Sequence, residues 1–185
     1  MKHRTRHRKL VCTLIAAAGL AVLPSLAQTP VASVAQVDLK RYVGKWYEIA
    51  SFPMFFQRNC VGDTTAEYAA LPQGGVSVNN RCRTADGFDD AQGKATVVDG
   101  TGNAQLKVSF FWPFKADYWV IGLDADYRWA VVGNPNRKYL WVLSRTPQLP
   151  KDLLDAALQS ATAQGYALAQ LRYTTHTASV VPKLP

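Results

Sequence analysis

Eight short segments of alternating apolar and polar residues run through most of this chain of 185 residues. Gly, Pro, Asn and Asp separate them at intervals of roughly 8–15 residues, a spacing typical of an antiparallel meander. Connections such as Pro72–Gly75 and Asp99–Asn103 supply the positive φ values that tight hairpins need. The predicted strands are Trp46–Phe52, Thr64–Leu71, Val76–Arg83, Gly93–Val98, Gln105–Phe111, Tyr118–Leu123, Trp129–Gly133 and Tyr139–Ser144.

One later segment departs from this alternation. Pro150–Gln164 has an apolar stripe at helical spacing and is followed by Gly165, and Leu168–Thr174 predicts a ninth strand. Closing an eight-stranded meander removes its sheet edges and leaves an interior that can hold one small ligand. We therefore predict an all-β fold, an eight-stranded antiparallel up-and-down β-barrel with a C-terminal α-helix packed outside and a short ninth strand.

The N-terminus predicts export. Residues 1–9 contain five Lys and Arg and no acid, and the apolar run Leu10–Leu23 follows. Ser25 and Ala27 are small enough for the subsites of a signal peptidase, so we predict that residues 1–27 are a secretory signal peptide.

Anchoring in the membrane is disfavoured by two residues of this segment. An uncleaved membrane anchor needs about 20 apolar residues, and Pro24 interrupts the run. A lipoprotein signal places a small residue before its Cys, whereas Cys12 follows Leu10 and Val11. We therefore expect an exported periplasmic protein, soluble or in peripheral contact with the outer membrane, and not lipid-anchored.

Loss of the signal changes the charge argument. The chain has 21 Lys and Arg against 13 Asp and Glu, a net charge of +8 that would favour a nucleic acid as partner. Five of these basic residues leave with the signal, so 16 remain against 13 and the net charge falls to +3. We therefore expect no nucleic-acid partner.

The rest of the chain divides into a flexible leader at 28–36, a barrel domain at 37–176 and a flexible tail at 177–185.

Three motifs resemble the lipocalins, in order along the chain. Gly44–Ala50 has the Gly-x-Trp signature of that family's first strand. Val108–Phe114 and Tyr139–Pro147 are similar to the bacterial, Blc-like outer-membrane branch, and the resemblance covers about residues 37–176.

The resemblance implies both a structure and a role. Gly44, Trp46 and Arg145 would have structural roles, with Trp46 plugging the narrow end of the barrel and Arg145 stacked across its indole. Bacterial members are associated with lipid storage or transport in envelope maintenance, and the resemblance also implies a homodimer as a candidate assembly.

Catalysis has little support in the residues. His176 is the one histidine left after the signal, and no Asp, Glu, Ser or Cys stands near it in an activating arrangement. The acidic pairs Asp89–Asp90 and Asp124/Asp126 lie in turn-like segments, for which solvated loops are the simpler interpretation. No phosphate loop, metal-ligand spacing or nucleophile elbow occurs. We expect no enzyme, no metal and no cofactor.

Aromatic residues carry the functional signal. If the first strand leaves the closed end, the loops after strands one, three, five and seven surround the open mouth, and two of them are rich in aromatics. In the fifth strand Leu106, Val108 and Phe110 share the face expected to line the cavity. The predicted cavity and mouth residues are Phe55, Phe56, Tyr68, Val78, Leu106, Val108, Phe110, Trp112, Phe114, Val120 and Trp141.

The partner expected from these residues is a hydrophobic small molecule or lipid. Apolar burial would hold it, and Arg58, Lys115, Arg137 and Lys138 could meet a polar head group at the mouth. A carrier of fatty acids or lysophospholipids is the first hypothesis, and a protein-interaction module that uses the aromatic loops is the second. An ordinary barrel core without ligand, and an enzyme on such a barrel, are the remaining alternatives.

Cys60 and Cys82 are expected to pair, because exported cysteines are usually oxidised and these two flank the Pro72–Gly75 turn. A hairpin centred near residue 73 places Cys60 opposite residue 86, so the bond requires a bulge or a loop position for Cys60. Free thiols are the alternative.

We predict that non-reducing mass spectrometry of the exported protein gives a mass two hydrogens below that of the reduced form. Two thiols that alkylate without reductant would contradict this pairing.

Overall fold

The computed structural model describes residues 29–177. Nine strands form one antiparallel sheet in the order β2-β3-β4-β5-β6-β7-β8-β1-β9, and β1 also pairs with β2, which closes β1 to β8 into a barrel. The predicted eight-stranded barrel with an external ninth strand is therefore confirmed. The strands are β1 (Gly44–Ser51), β2 (Gly62–Ala70), β3 (Val76–Arg83), β4 (Phe88–Val97), β5 (Gln105–Ser109), β6 (Ala116–Leu123), β7 (Trp129–Gly133), β8 (Leu140–Ser144) and β9 (Arg172–Tyr173).

Alternation along each strand divides the apolar residues between two clusters. In β8, Leu143 belongs to the cluster inside the barrel, whereas Leu140 and Val142 belong to a second cluster outside it. Successive side chains of a strand point to opposite faces, so one strand can serve both. The barrel wall is thus apolar on both sides where the helix covers it.

The long helix packs on the outer face. Helix α2 (Lys151–Ala163) follows Pro150 and is succeeded by Gly165, which has φ +78°, as the sequence predicts. Its Ala157 and Ala161 are fully buried. A side chain on Gly122 of β6 would lie 2.2 Å from Ser160 Oγ of the helix, so this close approach requires glycine.

Strand β1 changes partners along its length. It pairs with β2 from Gly44 to Tyr47, and its register on β8 shifts between Glu48 and Ala50. Beyond this bulge, Ala50 and Ser51 pair with β9 on the outside of the barrel. The bulge turns the upper part of β1 away from β2, which is why a ninth strand finds a free edge there.

Two strand boundaries differ from the prediction. Strand β4 begins at Phe88, five residues before the predicted start, because Asp89 and Asp90 pair with β3 rather than forming a loop. Asp90 forms an exposed ion pair with Arg81 at 3.2 Å. Strand β5 ends at Ser109, two residues before the predicted Phe111, because the chain turns there into the connection to β6.

The second acidic pair does lie in a turn and Asp126 is exposed, as expected, but Asp124 is not solvated. Asp124 is 9% exposed and accepts hydrogen bonds from the backbone N–H groups of Asp126 and Arg128 and from the Arg128 guanidinium. These hydrogen bonds, with the Arg128 side chain the largest contribution, lower the pKa of Asp124 to about 2. Asp124 thus organises the turn between β6 and β7.

The structure differs from the expected flexible leader. Val31 is buried in the outer cluster, and the Val34 N–H donates to the Val120 carbonyl at 2.8 Å. The small apolar side chains of this segment thus pack against the barrel beside β6. The predicted signal peptide at 1–27 and nearly all of the predicted tail at 177–185 lie outside the described residues. Within residues 29–177 no helix is long and apolar enough to cross a membrane.

The closed end depends on one cation. The Arg145 guanidinium lies 3.8 Å from the centroid of the Trp46 ring, and Trp46 is fully buried. The same guanidinium donates to the carbonyls of Lys45 at 3.0 Å and Tyr42 at 3.1 Å. It therefore links β8 to β1 and to the short helix α1 (Leu39–Tyr42) that crosses this end.

We predict that Arg145→Ala lowers the free energy of unfolding by roughly 2–4 kcal/mol, because it removes charge-assisted hydrogen bonds and the contact with Trp46. Arg81→Ala is the control, since its exposed ion pair is worth under about 1 kcal/mol. Urea unfolding measures both. Equal losses in the two variants would contradict a special role for Arg145.

Candidate functional site

The two ends of the barrel are built differently. Trp46, Arg145 and α1 cover the closed end. At the other end lie the loops after β1, β3, β5 and β7, which we call the mouth, because alternate connections of an up-and-down barrel share one end. They comprise residues 52–61, 84–87, 110–115 and 134–139.

The lower half of the interior is apolar and nearly filled. A cavity of about 20 Å³ remains there, which holds about one water molecule. Five predicted site residues line it, namely Tyr68, Val78, Leu106, Val108 and Val120. Their inward orientation, which alternation predicts, is observed in the structure.

The upper half of the interior has small side chains. Asn80 of β3 pairs with Ala91 of β4, two residues along from Val78, and Ala116 of β6 pairs with Val108 of β5. All three therefore lie on the inward face. Ala91 and Ala116 are exposed to solvent and Gly93 is partly so. The interior is therefore open to solvent above the floor, towards the mouth. Ala91 was missed by sequence reasoning because the predicted fourth strand begins at Gly93.

Three tyrosines form the floor, with Tyr42 and Tyr68 buried and Tyr118 partly buried. The Tyr118 hydroxyl lies 2.8 Å from that of Tyr42 and 3.0 Å from that of Tyr68. Desolvation by burial raises the pKa of Tyr68 to about 12 and raises that of Tyr42 and Tyr118 above the ordinary value of 10.0. The floor therefore presents neutral phenols to a ligand. Tyr42 and Tyr118 carried no motif and were not among the predicted residues.

A row of aromatic rings connects the mouth with the interior. Phe55 lies 5.3 Å from Phe56, Phe56 lies 5.8 Å from Tyr139, and Tyr139 lies 6.0 Å from Trp141, measured between ring centroids. Trp141 packs against the inner cluster, whereas Phe55 is 71% exposed. This row is a continuous apolar surface from solvent to the barrel interior.

The loop after β5 holds the most exposed rings of the described chain. Trp112 is 90% exposed, and Phe111 and Phe114 are similarly open. Phe110 is not among the residues that line the small cavity with Leu106 and Val108, and it lies one residue beyond the end of β5. Its ring covers the inner face of Gly93, which pairs with Val78, and the side chain is 37% exposed. It therefore faces the interior, as alternation predicts, at the rim of the mouth.

Only part of the predicted cation cluster faces the mouth. The Arg137 guanidinium donates to the Gln164 carbonyl at the end of α2 and to the Thr29 carbonyl, so it is held on the outside of the barrel. Arg58 donates to the Phe55 carbonyl, and Lys138 lies 5.7 Å from the Tyr139 ring centroid. Lys115 is exposed at the end of the loop after β5.

The disulfide fixes the first mouth loop. Cys60 and Cys82 are bonded with their Cα atoms 5.6 Å apart. Both expected adjustments occur, because Cys60 precedes β2 in the loop and the register of β2 on β3 shifts between Gly62 and Thr65. The bond ties the loop that carries Phe55 and Phe56 to the barrel wall.

A polar pocket of about 420 Å³ lies between this loop and the segment after β9. Its buried Glu48 carboxylate accepts hydrogen bonds from Ser51, Gln57 and Thr174. His176 is also buried, with Nε2 2.8 Å from the Glu48 carbonyl. These residues join the end of the chain to β1. No group of three or more metal-binding side chains occurs within residues 29–177.

Comparison with known proteins identifies the fold family. The model of the lipocalin-like domain matches residues 37–176. This chain belongs to the lipocalin family. Among solved structures, insecticyanin from the tobacco hornworm Manduca sexta has a TM-score of 0.66 at 20% identity, over 80% of this chain and 86% of that one. Lobster apocrustacyanin A1 has a TM-score of 0.62 at 14% identity, over 84% and 95%.

Curated relatives place this lipocalin near a bacterial group, as the sequence motifs suggest. The outer membrane lipoprotein Blc of Escherichia coli (strain K12) is 41% identical over 160 residues, 83% of this chain and 90% of the relative. Blc of Vibrio cholerae is 40% identical over 143 residues, 76% and 83%. Temperature-induced lipocalin-1 of Arabidopsis thaliana is 37% identical, over 75% and 78%. The chain is a binding protein and not an enzyme, as expected.

The expectation of a protein without a lipid anchor is wrong. The bacterial relatives are named outer membrane lipoproteins, which contradicts it. Leu10 and Val11 before Cys12 were the only residues that disfavoured a lipid anchor, and all three lie outside the described residues. A local pattern around one cysteine was too little to exclude anchoring.

We predict that Tyr118→Phe lowers the free energy of unfolding by about 1–3 kcal/mol, because it leaves two buried hydroxyls without a partner. Tyr173→Phe, at an exposed position, is the control.

The same floor predicts a loss of stability at high pH. Unfolded tyrosines ionise near pH 10, whereas Tyr68 ionises at about 12 in the folded chain, so its contribution is complete below about pH 10 and disappears as the pH rises through about 12. Unfolding measured across this range tests the prediction. A free energy of unfolding that does not change between pH 10 and 12 would contradict the buried cluster. Equal losses of stability in Tyr118→Phe and Tyr173→Phe would also contradict it.

Proposed function

We propose that this lipocalin stores or transports single-chain amphiphiles, such as fatty acids or lysophospholipids, in the maintenance of the cell envelope. The observation that carries the proposal is the continuous apolar surface from Phe55 through Tyr139 and Trp141 to the barrel interior. An eight-stranded barrel is narrow, which favours one acyl chain over several.

The energetics favour long chains. Burying each methylene contributes about 0.8 kcal/mol, whereas association costs at least about 4 kcal/mol. The first five or so buried methylenes therefore only offset the cost of association. Net binding requires a longer chain, so short fatty acids are poor ligands.

The charges favour an anionic head group at the mouth. No Lys or Arg is among the residues that line the inner cavity, and the floor tyrosines are neutral. Arg58, Lys115 and Lys138 lie on the mouth loops. A carboxylate or phosphate would therefore remain near these cations while the chain points towards Tyr68 and Val78.

The envelope role is supported by the relatives. Those that share about 40% identity are named outer membrane lipoproteins. Lipids of the outer membrane are then the nearest source of ligand. A homodimer is compatible with this role and would appear in native mass spectrometry together with any lipid that co-purifies.

A second candidate is a protein-interaction module of the envelope. The exposure of Phe55, Phe111 and Trp112 favours it, because an exposed aromatic patch marks a binding surface. This candidate predicts a barrel that purifies without lipid.

We predict that a fluorescent long-chain fatty acid binds the native protein and that affinity rises about fourfold for each added methylene in a chain-length series. Affinity that does not depend on chain length would contradict burial of the chain.

Trp141→Arg is expected to weaken this binding at least tenfold, because it places a charge on the inner face. Phe110→Arg tests the rim should the first variant fold poorly. Tyr173→Arg is the matched control, an aromatic-to-Arg change on the exposed strand β9. Native affinity in both inward variants, with circular dichroism unchanged, would place the ligand elsewhere.

A further inference from the structure

Charge and aromatic side chains are unevenly distributed around the mouth. The loops after β1, β5 and β7 contain no Asp or Glu, and together they carry Phe55, Phe56, Trp112 and further rings. The loop after β3 is different, because Asp86 lies in it and Asp89 and Asp90 follow in β4. Arg81 and Arg83 of β3 lie in the same hairpin, so it carries two cations against three carboxylates and a net charge of −1. The mouth therefore has a basic aromatic arc and one weakly acidic hairpin, which we call the acidic hairpin.

The three loops of this arc are neighbours in space. The order of strands around the barrel places the loop after β7 between the loop after β5 and the loop after β1. The acidic hairpin lies on the opposite side of the mouth from the loop after β7. The cations Arg58, Lys115 and Lys138 thus lie on the same side of the mouth as the exposed rings.

The exposure of these rings points to an apolar environment. Trp112 is 90% exposed, and Phe55, Phe111 and Phe114 are each more than 70% exposed. Aromatic side chains with a polar edge prefer the interface between lipid head groups and acyl chains. Basic residues beside them are attracted to anionic lipids.

We propose that the basic aromatic arc docks on an anionic phospholipid bilayer, with Trp112 at the boundary of the head groups and the acidic hairpin tilted away from the surface. The barrel interior then opens onto the lipid, so a ligand passes between membrane and cavity without crossing water. The docking proposal rests on the proposed carrier function. It adds to that function the membrane surface that would supply the ligand.

The experiment uses the full-length exported protein and vesicles of phosphatidylcholine with or without phosphatidylglycerol, including brominated lipids that quench nearby tryptophan. We expect the anionic vesicles to shift the emission of Trp112 to shorter wavelength and to quench it. Trp46 and Trp129 are buried and Trp119 packs against the outer cluster, so these three should not respond. Trp141 packs against the inner cluster, so a small response from it is expected where lipid enters the barrel. Trp112→Phe should remove most of the quenching. Comparison with this variant separates docking from any attachment through the N-terminus.

Charge variants test the orientation. Lys115→Glu should weaken binding to anionic vesicles at least fivefold, because it removes one attraction and adds a repulsion. Lys40→Glu makes the same change on the exposed surface of the closed end and should have no effect. Asp86→Asn should leave binding unchanged or strengthen it.

Three results would overturn the docking surface. They are quenching that persists in Trp112→Phe, equal weakening by Lys115→Glu and Lys40→Glu, and an emission shift that appears on raising the protein concentration without vesicles, which would indicate a second copy of the chain. Fatty-acid binding by the native protein without vesicles is measured separately. Binding of the acid without binding of vesicles would end the docking proposal alone, and the reverse would end only the carrier.

Discussion

The contact between Arg145 and Trp46 closes one end of the barrel, and the asymmetry of the molecule follows from it. One guanidinium covers the buried indole and binds carbonyls of β1 and of α1, so strands that are far apart in sequence meet at a fixed point. The tyrosine floor lies directly above, with Tyr42 contacting both Trp46 and Tyr68. Because this end is tightly packed, the opposite end can carry small inward residues and long loops without loss of the fold.

The mouth is fixed at two places. The Cys60–Cys82 bond holds the first loop, and the segment around Thr174 and His176 joins β1 through Glu48. Between these fixed points, aromatic rings remain exposed and cations lie beside them. An uncharged floor below a basic rim matches the ligand that we propose, an amphiphile with one acyl chain.

The sequence predicted the barrel because its signals are local. Alternation placed Leu106, Val108 and Val120 correctly, and the stripe before Gly165 defined the helix. Long-range contacts were beyond local patterns. Asp89 and Asp90 belong to a strand because they pair with β3. Arg137 lies outside the mouth because it donates to a carbonyl at the end of α2. Tyr42 and Tyr118 are far apart in sequence, and their contact depends on the closed barrel. The prediction on lipid anchoring was wrong because it depended only on Leu10 and Val11, the residues before Cys12.

The central claim is that an acyl chain enters the barrel with its methyl end towards the tyrosine floor. Nuclear Overhauser effects between a ¹³C-labelled long-chain fatty acid and the protein test it most directly. The account predicts contacts from the terminal methyl to Tyr68, Val78 and Val120, and contacts from the carboxyl end to the loops that carry Lys115 and Lys138. Contacts confined to the outer face beside α2 or to the pocket at Glu48, or none at all, would contradict it.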